Sequence, residues 1–260
     1  DAVVLTADRM SQGGIYDHVG GGYARYATDE RWLVPHFEKM LYDNAQLLEL
    51  LTHLWLETGN ELFRRRATET TAWMLREMRT PEDAFASALD ADSEGVEGKY
   101  YVWSADDINS LLGDDADHFS KIYDVTQSGN WESTNILNRL LPPPDSTDPD
   151  EDRLSRCLTT LLDVRDKRIR PEWDDKVLTD WNGLAIAALA TAGRVFDQTT
   201  WLNAAVTAFA YITSKMSNGD RLRHASRAGV CKTDEFLDDY AQMSRAALTL
   251  FEITGDSSYL

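Results

Sequence analysis

The sequence predicts an all-α-dominated fold: an arc of an (α/α) toroid, built from helical hairpins, with short β-hairpin insertions. Three observations carry this prediction. First, an acid beside an aromatic opens an apolar segment three times, as Tyr42-Asp43, Asp180-Trp181 and Asp239-Tyr240, and each time an Asn or Asp follows 17 residues later, at Asn60, Asp197 and Asp256. Second, the segments so opened are apolar nearly all round, as in Leu184-Ala185-Ile186-Ala187-Ala188-Leu189-Ala190. Return segments near 63–78 and 201–216 are amphipathic, with Arg64, Arg65, Glu69 and Lys215 available to solvent. Buried helices alternating with half-exposed ones describe an inner and an outer ring. Third, the openings lie 137 and 59 residues apart, with strand-like sequence in the longer gap. An α-solenoid repeats at a short, regular period, so the irregular spacing favours a toroid with insertions.

Taken in order, Gly20-Gly21-Gly22-Tyr23-Ala24-Arg25-Tyr26 alternates small and aromatic residues and reads as a β-hairpin with Asp29-Glu30 near its turn. Asp43 then reads as the N-cap of a helix that ends at Thr58-Gly59-Asn60, with glycine in the left-handed closing position and Asn60 capping the return. Segments 84–89 and 99–103 read as short strands flanking an acidic turn. Ser104-Ala105-Asp106-Asp107 resembles a capping box for a helix through Leu112. Leu141-Pro142-Pro143-Pro144, running on to Asp152, reads as an exposed acidic linker. Asp180 and Asp239 open the remaining helices, the last closing at Thr254-Gly255-Asp256. The expected organisation is a single toroid domain over 1–260, with 80–150 as a β-containing insertion and linker. Because the chain opens and closes inside apparent helices, it is expected to be part of a longer protein.

Composition bounds the function. With 43% apolar and 10% aromatic residues among 260, the chain can bury a core. Its net charge of −18 disfavours nucleic acid and anionic membrane as partners. The acids are 29 Asp and 15 Glu, against 19 Arg and only 7 Lys. That balance predicts a protein suited to high salt, where screening shrinks self-repulsion. No apolar run is long enough to span a membrane and no secretory leader is visible. Cys157 and Cys231 are isolated, which rules out a Cys-x-x-Cys redox or zinc motif and fits a reducing cytoplasm.

Several motifs fail on inspection. Asp90-Ala91-Asp92-Ser93-Glu94-Gly95 begins like a calcium loop, but Tyr101 stands where the bidentate acid is needed. His36-Phe37-Glu38 lacks the Pro-Cys-x-x-Cys partner of a zinc deaminase. No Walker loop or nucleophile elbow occurs, and no cofactor or metal is implied. What remains is a concentration of polar and aromatic residues. Sugar-processing sites need carboxylates for proton transfer and flat rings against which pyranoses stack. Asp43, Asp180 and Asp239 are the acid/base candidates, although each also reads as a cap. His18 and His36 are candidates for proton transfer or orientation. Arg25, Tyr26, Glu38, Lys39, Tyr42, Asp90, Asp92, Trp181, Asn182 and Tyr240 are candidates for holding a small-molecule or glycan ligand.

Gly13-Gly14-Ile15-Tyr16-Asp17-His18-Val19-Gly20, Val34-Pro35-His36-Phe37-Glu38-Lys39-Met40-Leu41-Tyr42-Asp43-Asn44 and Thr179-Asp180-Trp181-Asn182-Gly183-Leu184 resemble the signature of the YyaL / spermatogenesis-associated protein 20 family. Glu97-Gly98-Lys99-Tyr100-Tyr101-Val102-Trp103 extends the resemblance. It implies a six-hairpin (α/α) toroid akin to glycosidases and N-acylglucosamine 2-epimerases, preceded in the family by a thioredoxin-like domain that this chain does not match. The function so implied is a carbohydrate-active domain, hydrolase- or epimerase-like. The alternative is a non-catalytic binding or scaffold module serving the thioredoxin-like domain.

Overall fold

The computed structural model describes residues 2–141 and 150–260. The linker expected at 141–152 therefore lies mostly outside the described residues. In chain order the α-helices are α1 (Ala2–Gln12), α2 (Leu41–Thr58), α3 (Glu61–Trp73), α4 (Ala105–Leu112), α5 (Ala116–Ile122), α6 (Glu151–Arg165), α7 (Thr179–Val195), α8 (Thr199–Lys215) and α9 (Leu237–Thr254). The chain forms two compact units, one from 1–38 with 90–172, the other from 39–89 with 173–260. The strand-like gap thus contributes to both.

In the second unit, α7 packs against α2, α8 and α9. Its Ala185, Ile186, Ala187, Ala188, Leu189, Ala190 and Ala192 are all buried, as expected of a helix with neighbours on every side. Two glycines set its spacing. A Cβ on Gly183 would lie 2.8 Å from the backbone carbon of Gln242 in α9, and one on Gly193 would lie 2.9 Å from Leu202 N in α8. The rings of Tyr42 and Trp181 meet at 4.7 Å, and Asp180 N–H bonds to Asp239, so the first turns of α2, α7 and α9 share one end. The helices α3 and α8 return from the other end. Helices α2 and α9 close as predicted, on left-handed Gly59 and Gly255, and Asn60 caps α3 through Leu62 N–H.

The opening acids are not the N-caps. Those positions belong to Met40, Leu178 and Phe236, and Asp43, Asp180 and Asp239 lie within the first helical turn. The cause is a two-residue strand running directly into α2 and α7, Lys39–Met40 and Val177–Leu178, whose last residue occupies the cap. A carboxylate in the first turn still meets the positive end of the helix dipole. Asn182 ties α7 to segment 84–89: it accepts Phe85 N–H at 2.9 Å and donates to Phe85 O at 2.9 Å, wholly buried. Asn182→Ala orphans both backbone groups and is expected to cost about 2–6 kcal/mol, at about 1–3 per buried group. Chemical denaturation measures it, and a loss below about 1 kcal/mol would refute this role.

In the first unit, α4 begins with the predicted capping box between Ser104 and Asp107. Its core gathers Trp103, Ile108, Phe119, Tyr123, Leu154 and Leu161. The expected hairpin is displaced: Tyr26–Ala27 pairs with Pro35–His36, while Tyr23 only bridges Tyr16. Asp29 organises the turn by accepting N–H bonds from Arg31, Leu33 and Val34. The strands expected at 84–89 and 99–103 do not pair with each other. Ala88–Leu89 pairs with Lys39–Met40 and Trp173–Asp174, and Trp103 bridges Asn135. The acidic turn is itself a hairpin, Asp92–Ser93 on Val96–Glu97, its corner formed by left-handed Glu94 and Gly95.

Candidate functional site

The second unit brings three chemically active side chains together at the shared end of α2, α7 and α9. Asp239 anchors them. It is fully buried, with Oδ2 accepting Phe236 N–H at 2.7 Å and Oδ1 accepting Asp180 N–H at 3.1 Å. His224 Nδ1 lies 3.0 Å from Oδ1 and 3.3 Å from Oδ2. A carboxylate only accepts, so this contact places the proton on Nδ1 and leaves the Nε2 lone pair for chemistry. Among the described residues no group bonds to Nε2.

His224 comes from strand Arg221–Arg227, and the strand delivers it by a β-bulge. Arg223 pairs with Asp234 and Ala225 with Thr233, so His224 is the extra residue between them. Such bulges re-aim a side chain. The strand is pinned on both flanks: Thr179 Oγ1 donates to Arg223 O at 2.5 Å, and Leu222 N–H donates to Tyr240 Oη at 3.2 Å. The Phe236 ring meets the imidazole edge-on at 4.7 Å and is more than half exposed.

Asp180 completes the group, with Oδ1 4.0 Å from His224 Nδ1 and its side chain 19% exposed. Burial pushes its carboxyl above the ordinary aspartate value of 3.8, and the Asp239 charge adds to this; the Trp181 N–H bond and His224 pull the other way without cancelling it. The folded state therefore holds this proton to higher pH than the unfolded chain. The stability that follows is greatest below 3.8 and falls as pH rises through the elevated value. Asp180→Asn removes that decline, so relative to wild type it is expected to gain stability between pH 3.5 and pH 7. Equal urea-denaturation differences at the two pH values would contradict the shift.

These three residues are also the group, among the described residues, whose ligand atoms lie close enough to hold a metal ion, within 4.8 Å of one another. Yet Asp239 is already occupied by two backbone N–H groups and the imidazole. The arrangement suits orientation of a histidine better than metal coordination.

The other predicted residues fall in both units. In the second, Asp43 and Tyr42 stand half-buried in the first turn of α2, Trp181 is half-buried beside Tyr42, and Tyr240 holds strand Arg221–Arg227. Asn182 and Lys39 are buried, Lys39 with its ammonium 5.2 Å from the Trp73 ring centre. In the first unit His36 has its own carboxylate partner: Nδ1 lies 2.7 Å from Glu97 Oε1, and Nε2 lies 3.6 Å from Glu38, which also pairs with Arg25 at 3.3 Å. Tyr26 stacks on the His36 ring at 5.0 Å. Asp90 accepts Asp92 N–H, and both are exposed. His18 is 6% exposed, with Nε2 3.0 Å from Gly13 O and its ring edge-on to Tyr16 and Tyr123. Sequence reasoning missed His224, Phe236 and Glu97. With only five histidines in the chain, pairing each with the opening acids would have put His224 forward.

No family model matches the chain. Over 98% of its length it is 31% identical to human spermatogenesis-associated protein 20 and 32% identical to the rat protein, covering 38% of each. An uncharacterized protein of Caenorhabditis elegans is 29% identical over 98% of the chain and 40% of its own length. The chain thus spans about two fifths of the curated relatives it matches. Among solved structures it resembles cellobiose 2-epimerase from Spirochaeta thermophila, with a TM-score of 0.58 and 11% identity over 98% of this chain and 47% of that one. The Bacillus thermoamylovorans cellobiose 2-epimerase gives 0.57 and 10%, over 99% and 52%. A family 76 glycoside hydrolase from Bacteroides thetaiotaomicron gives 0.52 and 13%, over 97% and 38%. These likenesses show the fold, that of the glycosidase-like (α/α) toroids. Among the described residues no helix is long and apolar enough to cross a membrane.

Proposed function

We propose that this chain is the proton-transfer part of a carbohydrate-active toroid enzyme, epimerase-like rather than hydrolytic. The observation that carries this reading is the imidazole of His224, fixed through Nδ1 by a wholly buried Asp239. A base so held presents Nε2 to a proton next to a sugar carbonyl. Removing that proton to Nε2 moves the C–H electron pair toward the carbonyl oxygen and gives an enediolate, which a proton delivered to the other face of the same carbon converts to the epimer. Asp180, whose carboxyl burial raises above the ordinary aspartate value, is the carboxyl beside the base that is suited to hold a proton for return. Tyr42, Trp181 and Phe236 supply ring faces for the sugar.

Hydrolysis by a carboxylate pair is disfavoured by the same geometry. The two acids of a glycosidase flank the bond about 5–10 Å apart. Here Asp239 is enclosed, and its carboxylate lies within 4.8 Å of that of Asp180. A non-catalytic module serving a thioredoxin-like domain is the second reading, supported by the 38% coverage of the longer relatives. The reducing cytoplasm and high-salt setting read from composition belong to this proposal as well.

The test is to incubate the protein with glucose, mannose and cellobiose in deuterium oxide at high salt and follow the C2 proton by NMR. Exchange at C2 with appearance of the epimer is expected. Cleavage of a glycoside without exchange would replace this reading with hydrolysis, and binding without either would favour the scaffold.

A further inference from the structure

We propose that a cleft in the first unit binds a carboxylate carried on a six-membered ring. The cleft has a volume of about 390 Å³, and its lining includes Arg9, Arg31, Trp32, Asp124 and Asn138. Two independent features set it apart.

One is charge. In this strongly acidic chain most arginines are held by a carboxylate. Arg139 is one example, bound to both oxygens of Glu151 at 2.8 and 3.3 Å. Arg9 and Arg31 are not: among the described residues neither makes an ion pair, and the one bond from the Arg9 guanidinium goes to Leu140 O at 3.4 Å. Two guanidiniums that make no ion pair among the described residues thus keep donors in one cleft for an incoming anion. Glu30 and Asp124 line the cleft too, but among the described residues neither forms an ion pair with Arg9 or Arg31, and the Asp124 carboxylate instead accepts from Asn138 Nδ2 at 3.2 Å.

The other is the way Trp32 is held. Its φ of 66° is left-handed, which costs a bulky side chain about 1–3 kcal/mol. Gly13 and Gly14 make room for this backbone. A Cβ at Gly13 would lie 2.3 Å from Trp32 O, and one at Gly14 would lie 2.1 Å from Leu33 O, so the glycine pair lets the 32–33 backbone pack directly on theirs. The result is an indole kept half-buried at the cleft wall beside two fork-shaped cations. A flat or chair-shaped ring stacks on the indole, and its carboxylate meets the guanidiniums.

Isothermal titration of the protein with sodium glucuronate, sodium benzoate and glucose, at one fixed ionic strength, tests this. Glucuronate or benzoate is expected to bind at least tenfold more tightly than glucose, and the better of the two identifies the ring as saccharide or aromatic. Arg9→Gln and Arg31→Gln should each weaken that binding about tenfold, the scale of one charge-assisted hydrogen bond. Trp32→Phe should retain binding, and Trp32→Ala, if its melting matches wild type, should lose it. Glucose binding as tightly as glucuronate and benzoate, or arginine variants binding like wild type, would overturn the proposal.

Discussion

His224→Gln is expected to abolish C2 proton exchange, lowering its rate by about 10²–10⁴-fold, the range of a lost general base, while leaving the melting temperature nearly unchanged. The imidazole is partly exposed on a hairpin and its removal empties no core. Glutamine can still donate an N–H to Asp239, which keeps the buried carboxylate bonded and isolates the loss of the base. Asp239→Asn, by contrast, should weaken exchange by disturbing the tautomer and orientation of His224, and should also loosen the start of α9, because Asp239 accepts Phe236 N–H. An unchanged exchange rate in His224→Gln would end the proton-transfer reading of this site.

The largest stability effect is expected from a residue with no chemical role. Asp17→Ala should destabilise the first unit by about 3–5 kcal/mol, the cost of breaking a buried ion pair by removing one member. Arg165 is 1% exposed, and its guanidinium bonds Asp17 Oδ1 at 2.8 Å between the rings of Tyr100 and Tyr101. Gly20 has no room for a side chain there, since a Cβ would lie 1.9 Å from the guanidinium. Asp17 Oδ1 also accepts Val19 and Gly20 N–H, at 3.1 and 3.0 Å. Its loss therefore strips the loop of its bonds as well as Arg165 of its counter-charge. Urea denaturation reads the loss directly, and the double variant Asp17→Ala, Arg165→Met should recover part of it by removing the buried charge as well. A single-variant loss under about 1 kcal/mol would show that Arg165 finds another partner.

The fold was legible because its signals are local and repeated. Gly59, Gly255 and Asn60 close and reopen helices by backbone chemistry that needs no tertiary partner, and the alanine-rich run of α7 announces a helix surrounded by others. The same locality misled the reading of Asp43, Asp180 and Asp239. An acid before an apolar run looks like a cap, and nothing in the nearby sequence shows that the end of a two-residue strand holds the cap of α2 and α7, or that Phe236 holds that of α9. Asp180 and Asp239 nevertheless meet, because equal spans bring the first turns of α7 and α9 to one end. His224 could be shortlisted as one of five histidines, but its place could not be read, for a different reason. It depends on a bulge, a mismatch between two strands, and pairing register is not written in either strand alone. Glu97 was hidden likewise, since its contact with His36 spans 61 residues and arises only when two small hairpins fold beside each other.

The base and the acid that orients it are built on parts of unlike character. Asp239 belongs to a helix locked against its neighbours, while His224 rides a short ribbon whose far strand, Val230–Asp234, reaches Val230, more than half exposed. Insertions, deletions and changes of turn at the ribbon's tip leave the helical frame untouched. Related proteins can thus trade one reactive group for another by redrawing a dozen residues, and diversification within the lineage should concentrate there.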